Sequence, residues 1–305
     1  MVEQPEASRA SPLRILLAHD LSAAADLAVG LIAHASWPAS SVVRIVTSRR
    51  GVGPGMSSFA NLREARIHAH QVREAIASTH ERVAAELRGA GVATESRTVR
   101  GKPEQAIVAE ADRFGANLLV VGARRQGSIA ATLLGSVSRA VVERASCSVL
   151  VARSTAIRRI LLATDGSPPA RLATTIVGTW PMFAGARILL VGVSEGPQGA
   201  GDRDTVATPA DRATSAVDEA IAVLAGRGRD VQADIRTGEA ATEVVTAARE
   251  WPADLVVQGA YAKPLLHRLI LGSVARKVLD GVTCSVLVAR PGPTTDPGLS
   301  DAGVR

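Results

Sequence analysis

Aromatic residues and cysteines are scarce in this chain, and their scarcity narrows the classes of function. Only 2% of the 305 residues are Phe, Trp or Tyr, so unpaired bases would find almost nothing to stack on. Two cysteines are too few for a disulfide framework in a chain of this length. No apolar run approaches the roughly 18–20 residues that cross a bilayer, and the polar first residues lack the apolar stretch of a secretory signal. We therefore expect a cytoplasmic protein with no membrane partner.

The basic balance of the chain would ordinarily favour a nucleic-acid partner, because the net charge is +6 and the pI is near 10.2. Nearly all of the positive charge is arginine, since lysine occurs only at Lys102, Lys263 and Lys277. The basic residues are scattered along the chain and form no block. We therefore predict no nucleic-acid partner and attribute the charge to an arginine-rich surface.

An internal repeat is the strongest feature of the sequence. The segment LRILLAHDLS, ending at Ser22, returns as RRILLATDGS, ending at Ser167. The segment LLGSVSRAVVERASCSVLVAR, ending at Arg153, returns as ILGSVARKVLDGVTCSVLVAR, ending at Arg290. The spacing between the copies is shorter for the second block than for the first, so the length difference falls between the two blocks. We place it in the loop and helix after the second strand, because length varies there at little cost.

Two copies in a chain longer than one hydrophobic core predict two domains. We place them at residues 12–154 and 157–290. The remaining segments, 1–11 and 291–305, are expected to be a disordered N-terminus and a disordered tail. The linker between the domains is very short, so the two units should lie close together.

Short apolar runs alternate with stretches of helical periodicity within each copy. In the first copy the predicted strands are 13–18, 42–46, 94–99, 118–122 and 149–152, and the predicted helices are near 22–35, 61–89, 103–114 and 136–145. This alternation predicts an α/β fold of two tandem, open, mostly parallel five-stranded sheets with helices on both faces. Continuous apolar runs such as LLVVG are typical of strands buried on both sides.

A carboxylate ends the first predicted strand of each copy. Asp20 and Asp165 are each followed two residues later by a serine, Ser22 or Ser167. Ligands of open parallel sheets bind beyond the carboxyl ends of the strands, where a carboxylate can accept hydrogen bonds from a sugar hydroxyl or an adenine amino group. Asp and Ser are also good helix N-caps, so a purely structural role stays open.

A glycine loop follows the fourth predicted strand of each copy. It reads Gly122-x2-Arg125-x9-Gly135-Ser136 and returns as Gly259-x2-Ala262-x9-Gly272-Ser273. Glycine lets a backbone approach a phosphate, and Gly-Ser at the start of a helix offers free amides and a hydroxyl to an anion. The alternative is that the two serines only cap their helices.

These segments resemble the universal stress protein family in its tandem form, over roughly residues 11–153 and 157–290. The resemblance implies a Rossmann-like fold of the adenine-nucleotide α-hydrolase-like kind, and ATP-binding members carry Gly-x2-Gly-x9-Gly-(Ser/Thr) in this loop. It implies that Asp20 and Asp165 are the acidic residues at the end of strand one, and that Val46 and Val191 offer backbone to adenine. The phosphate loop would comprise Gly122, Gly135, Ser136, Gly259, Gly272 and Ser273.

The second glycine of the family loop is replaced in both copies. Arg125 stands there in the first copy, where it could donate to a phosphate or fill its space, and Gly127 could relieve the turn. Ala262 stands there in the second copy, and its Cβ is tolerable at negative φ and costly at positive φ. Lys263 and Pro264 follow it, adding a charge and a stiff turn.

The leading hypothesis is a regulatory, non-catalytic module of the stress response that binds ATP, with Mg²⁺ only as a companion of ATP. One alternative is a nucleotide-free scaffold with degenerate ATP loops that acts through protein contacts. Another is an enzyme of the wider hydrolase-like fold, although no Walker loop is present. His19 lies next to Asp20 and could suggest a catalytic dyad, but Thr164 replaces it in the second copy, so we treat this adjacency as a coincidence.

The fifth predicted strands carry the identical segment SVLVAR and would lie at sheet edges. An exposed apolar edge favours pairing, so we predict that the two domains pair through these strands as an internal pseudo-dimer. A homodimer of the whole chain is a further possible partner. Cys147 and Cys284 precede these strands and are expected to be small buried thiols without a metal.

Overall fold

The computed structural model describes residues 11–49, 62–123, 134–195, 208–260 and 271–292. The loop positions Arg125, Gly127 and Ala262 lie outside the described residues. So do the N-terminal segment before Ser11 and the tail after Gly292, on which the predictions of disorder fall.

The first half has the predicted order of strands and helices. Its elements are β1 (Arg14–Ala18), α1 (Ala23–His34), β2 (Val42–Arg49), α2 (Leu62–Gly89), β3 (Ala93–Arg100), α3 (Pro103–Phe114), β4 (Leu118–Gly122), α4 (Ser136–Arg144) and β5 (Ser148–Ala152). Each of them coincides with a predicted element within three residues at either end, which confirms the assignment from hydrophobic periodicity.

The second half repeats this order. Its elements are β6 (Arg159–Thr164), α5 (Pro168–Thr179), β7 (Arg187–Ser194), α6 (Pro209–Ala225), β8 (Val231–Thr237), α7 (Ala240–Glu250), β9 (Leu255–Gly259), α8 (Ser273–Gly281) and β10 (Ser285–Ala289), with a 3₁₀ turn at Pro181–Phe183 after α5. The helix after the second strand is shorter here than in the first half. This agrees with the predicted position of the length difference.

All ten strands form one sheet in the order β3-β2-β1-β4-β5-β10-β9-β6-β7-β8. The strands of each half are parallel to one another, and the halves meet where β5 pairs with β10 in antiparallel orientation. Leu150 is opposite Leu287 in this pairing, between the Val149–Val288 and Val151–Val286 pairs. The fifth strands thus pair as the identical SVLVAR segments predict.

Helices cover both faces of this sheet. The helices α1, α2, α5 and α6 pack on one face and share one apolar core, whereas α3, α4, α7 and α8 pack on the other. Both central strands, β5 and β10, are buried along their whole length, as expected for continuous apolar runs. Every helix among the described residues is too short or too polar to cross a lipid bilayer.

Candidate functional site

A cleft of about 660 Å³ opens at the carboxyl ends of the strands in the second half. The ends of β6, β7 and β9 and the first turns of α5, α6, α7 and α8 line it. Five of the residues predicted from the sequence lie on this cleft, namely Asp165, Val191, Gly259, Gly272 and Ser273. Its volume falls in the range of about 300–1,000 Å³ that small-molecule sites occupy.

The Asp-x-Ser turn has the same structure in both halves. The Ser167 hydroxyl accepts from the amide of Ala170 at 3.4 Å and thereby caps α5, while the Asp165 carboxylate accepts from the Ser167 amide at 3.0 Å. In the first half, Ser22 caps α1 and Asp20 accepts from its amide at 3.2 Å. The capping role thus falls to the serines. Both carboxylates remain exposed at the end of their strand.

The second serine pair does not cap its helices. Gly135 and Gly272 hold the N-cap positions of α4 and α8, and neither cap has a side-chain hydrogen bond. Ser136 and Ser273 are the first helical residues and are exposed, so the interpretation of these serines as caps is wrong. The first-turn amides of a helix without such a cap are a favourable place for an anion.

Gly122 and Gly259 have a packing reason for lacking a side chain, in addition to the role that the loop pattern suggests. A Cβ on Gly122 would lie 2.2 Å from the carbonyl oxygen of Ala24 in α1. A Cβ on Gly259 would lie 2.5 Å from the carbonyl carbon of Pro169 in α5. These glycines let a strand end pack directly against the start of a helix, and that packing requires them whether or not a phosphate binds.

The two valines proposed to present backbone to adenine lie near the ends of the second strands, β2 and β7. Both side chains are buried in the core. The Val46 carbonyl already accepts a hydrogen bond from the amide of His19, the residue after β1, at 2.9 Å. Val191 lines the second-half cleft together with Val193, and these residues give this part of the cleft an apolar wall.

Three cleft residues with polar side chains were missed by the sequence analysis: Glu195, Arg212 and Gln258. Gln258 is buried, and its amide nitrogen donates to the carbonyl of Ala275 at 3.0 Å. A polar residue inside the apolar run LVVQG was a signal that could have found it. Arg212 and Glu195 lie near the start of α6 and just after β7, where only the strand-end rule points to them.

At the end of β1 in the first half, the buried residues His19, Thr47 and His80 form a hydrogen-bonded network. The Thr47 hydroxyl donates to the carbonyl of His19 at 2.8 Å, so the hydrogen bond of 2.8 Å between Thr47 and Nε2 of His80 is donated by His80. Nδ1 of His19 accepts from the amide of Leu21 at 3.1 Å, and Nε2 lies 3.3 Å from Asp26. His19 is therefore held by its neighbours and forms no dyad with the adjacent carboxylate.

Acidification is expected to destabilise the folded protein through the two histidines of this network. Burial is the largest cause that lowers the pKa of both His19 and His80, against the opposing effect of Asp26 on His19. The unfolded chain takes up these protons near pH 6.5 and the folded chain resists them. The contribution of these histidines to stability is therefore constant above about pH 7 and falls below about pH 6.5. The loss is at most about 1.4 kcal/mol per pH unit for each proton.

Urea unfolding at several pH values measures this loss, with His80→Leu as the comparison. The variant should lose less stability than the wild-type chain between neutral and mildly acidic pH, because it has one fewer buried imidazole. Equal losses in the two proteins would show that His80 does not contribute.

The profile of the "Universal stress protein family" matches residues 13–153 and 156–290, nearly the whole described chain. The chain belongs to the universal stress protein family. A universal stress protein of Mycobacterium tuberculosis is 29% identical over 189 residues, a match that covers 57% of this chain and 62% of that relative. One from Thermus aquaticus is 33% identical over 137 residues, which are 44% of this chain and 98% of the relative.

Solved structures share the fold of this universal stress protein across both halves. A universal stress protein from Archaeoglobus fulgidus superposes with a TM-score of 0.66 at 18% identity, covering 91% of this chain and 98% of that one. A structure from Pseudomonas aeruginosa gives a TM-score of 0.62 at 20% identity, with coverage of 92% and 94%. At these identities the likeness demonstrates the fold.

Proposed function

We propose that this universal stress protein is a regulatory module of the stress response that binds ATP in the second-half cleft without turning it over. One observation carries the proposal. The start of α8 at Gly272 and Ser273, which has no side-chain cap, shares a cleft of nucleotide size with the exposed carboxylate of Asp165.

The residues that line the cleft suit the three parts of an adenine nucleotide. Val191, Val193 and Val244 supply apolar surface for a base. Asp165 supplies an acceptor for a ribose hydroxyl or an adenine amino group. The amides at the start of α8 supply donors for phosphate oxygens, and the positive end of the helix dipole favours the negative charge. Mg²⁺ is proposed only as a companion of ATP.

We base the proposed absence of ATP hydrolysis on the side chains that line the second-half cleft. The ionisable side chains on the described cleft wall are Asp165, Glu195 and Arg212, and no His or Cys is among the described lining residues. General acid–base catalysis most often uses His, and a side-chain nucleophile needs an adjacent base. We expect ADP formation no faster than the uncatalysed background. ADP formation that disappears in Asp165→Ala would contradict this expectation.

Equilibrium dialysis of the full chain with millimolar ATP tests binding. The test variant is Ser273→Glu, because a carboxylate in the first turn favours the helix and repels a phosphate at the same place. We expect at least about tenfold weaker binding, equivalent to about 1.4 kcal/mol. Ser136→Glu is the matched variant in the first half, and it reports whether that half contributes.

Two outcomes of the dialysis would contradict the proposal. They are a wild-type chain that binds no ATP at millimolar concentration, and a Ser273→Glu chain that binds as tightly as wild type. The first outcome would favour the nucleotide-free scaffold.

For either function, we propose that the β5–β10 contact makes the chain an internal pseudo-dimer of its two halves.

A further inference from the structure

The ten-stranded sheet ends in two open edges, β3 and β8. Each edge strand has a partner on one side only in the described sheet, and most of its residues are exposed or half-buried. Open edges present unpaired backbone groups, so proteins protect them or use them for association. The charges beside these two edges differ in sign.

A cluster of arginines surrounds one buried carboxylate beside β3. Glu110 of α3 is fully buried and lies 2.8 Å from Arg44, 3.4 Å from Arg97 and in contact with Arg113. Arg44 also pairs with Glu95 at 2.9 Å. Arg97, Arg113 and Arg100 line a groove of about 420 Å³. We call these four arginines and two glutamates the basic edge, which carries two net positive charges.

The inverse arrangement lies beside β8. Arg236 is surrounded by three carboxylates, with Asp234 at 2.7 Å, Glu243 at 3.6 Å and Glu250 at 2.5 Å. These four residues are the acidic edge, which carries two net negative charges.

Two members of each cluster occupy equivalent positions in the repeat. Arg97 pairs with Val46 across β2–β3, just as Asp234 pairs with Val191 across β7–β8. Arg113 and Glu250 hold equivalent positions near the ends of α3 and α7. At these two equivalent positions the charge is reversed between the halves, and each pair of residues belongs to an ion-pair cluster. An ion-pair cluster with a purely structural role does not require opposite net charges in the two halves.

The geometry of the sheet lets these edges meet between copies. The strands of each half are parallel and the halves join antiparallel, so β3 and β8 run in opposite directions. A second copy placed beyond β3 can therefore present its β8 as an antiparallel neighbour. The helices α3 and α7 pack on the same face of the sheet, which places the two clusters on that face at opposite ends.

We propose that the basic edge of one copy docks against the acidic edge of a second copy of this chain. The contact is heterologous, because it joins different surfaces of the two partners. A dimer therefore still has one free basic edge and one free acidic edge, and further copies can add to form larger assemblies. The net charges attract the copies over a distance set by salt, and backbone pairing of β3 with β8 fixes the register. This inference does not depend on nucleotide binding.

The test uses sedimentation of the full chain over a range of protein and salt concentrations. We expect the average mass to rise with protein concentration at low salt and to fall towards the monomer at about 0.5 M NaCl, where screening lengths are only a few ångströms. The basic-edge variant is Arg97→Gln with Arg100→Glu, which leaves Glu110 paired with Arg44 and Arg113. The acidic-edge variant is Glu250→Lys, which leaves Arg236 paired with Asp234 and Glu243.

Mixing the variants distinguishes this contact from any other. Each variant alone should remain a monomer at low salt, and an equimolar mixture should form a dimer and nothing larger, because each partner has one functional edge. A wild-type chain that stays monomeric at every concentration would show that the charges only prevent the edge strands of different copies from pairing. A wild-type assembly that persists unchanged in both variants would place the contact elsewhere. Either result overturns the proposal.

Discussion

Alanine in place of Gly122 or Gly259 is expected to lower the free energy of unfolding by about 3 kcal/mol or more. The added Cβ would lie 2.2 Å from the Ala24 carbonyl oxygen or 2.5 Å from the Pro169 carbonyl carbon, far inside contact distance. The obstacle in both cases is the backbone of a capped helix start, which no side-chain rotation can relieve. Chemical denaturation of the two single variants measures the effect.

Gly89→Ala is the matched control for this prediction. Gly89 is the last residue of α2, and a Cβ there would meet no atom within 4 Å. Alanine should leave stability unchanged or raise it by up to about 1 kcal/mol, because alanine favours a helix over glycine. If Gly122→Ala were as stable as Gly89→Ala, close packing of β4 on α1 would not be the reason for the glycine.

Methionine in place of Arg153 is expected to destabilise the protein, whereas methionine in place of Arg290 is not, although both arginines end an identical SVLVAR segment. Arg153 donates to the carbonyls of Cys284 at 2.8 Å and Leu279 at 3.0 Å, and so connects the first half to the end of α8. Its loss leaves these part-buried carbonyls without a charged donor, which should cost about 3 kcal/mol.

Arg290 is fully buried, and its three guanidinium nitrogens have no hydrogen-bond partner among the described residues. Burial, the largest influence, lowers the pKa of Arg290 to about 10. An apolar side chain of similar length removes the cost of burying this charge, so Arg290→Met should be neutral or stabilising. Thermal or urea unfolding compares the two variants. A loss for Arg290→Met as large as that for Arg153→Met would show that Arg290 has an equivalent set of partners.

The fold could be predicted from the sequence because its signals are local and repeated. Strands such as Leu118–Gly122 are continuous apolar runs, and helices such as Pro103–Phe114 have clear helical periodicity. The identical fifth strands also predicted which edges meet. A single copy would have given the same strands and helices without the β5–β10 pairing.

The site could be predicted only in part, because several of its features depend on distant neighbours. The strand-end rule placed Asp165 and Ser273 on one cleft, but it did not find Gln258, which is separated from Ala275 by a loop. The loop pattern assigned Gly122 to phosphate binding and could not show that α1 packs against it, because that contact depends on a distant part of the chain. His19 was treated as a coincidence, and its partner Asp26 is recognisable only once α1 is in place.

Binding of an adenine nucleotide in the second-half cleft is tested most directly by amide hydrogen exchange of the full chain, with and without millimolar ATP. The first-turn amides of α8 lack a side-chain cap and should exchange readily in the free protein. We predict that ATP slows exchange at residues 272–276 and 165–170 and that GTP at the same concentration does not. Exchange at residues 272–276 that is unchanged by ATP, or slowed equally by GTP, would contradict an adenine-nucleotide site there.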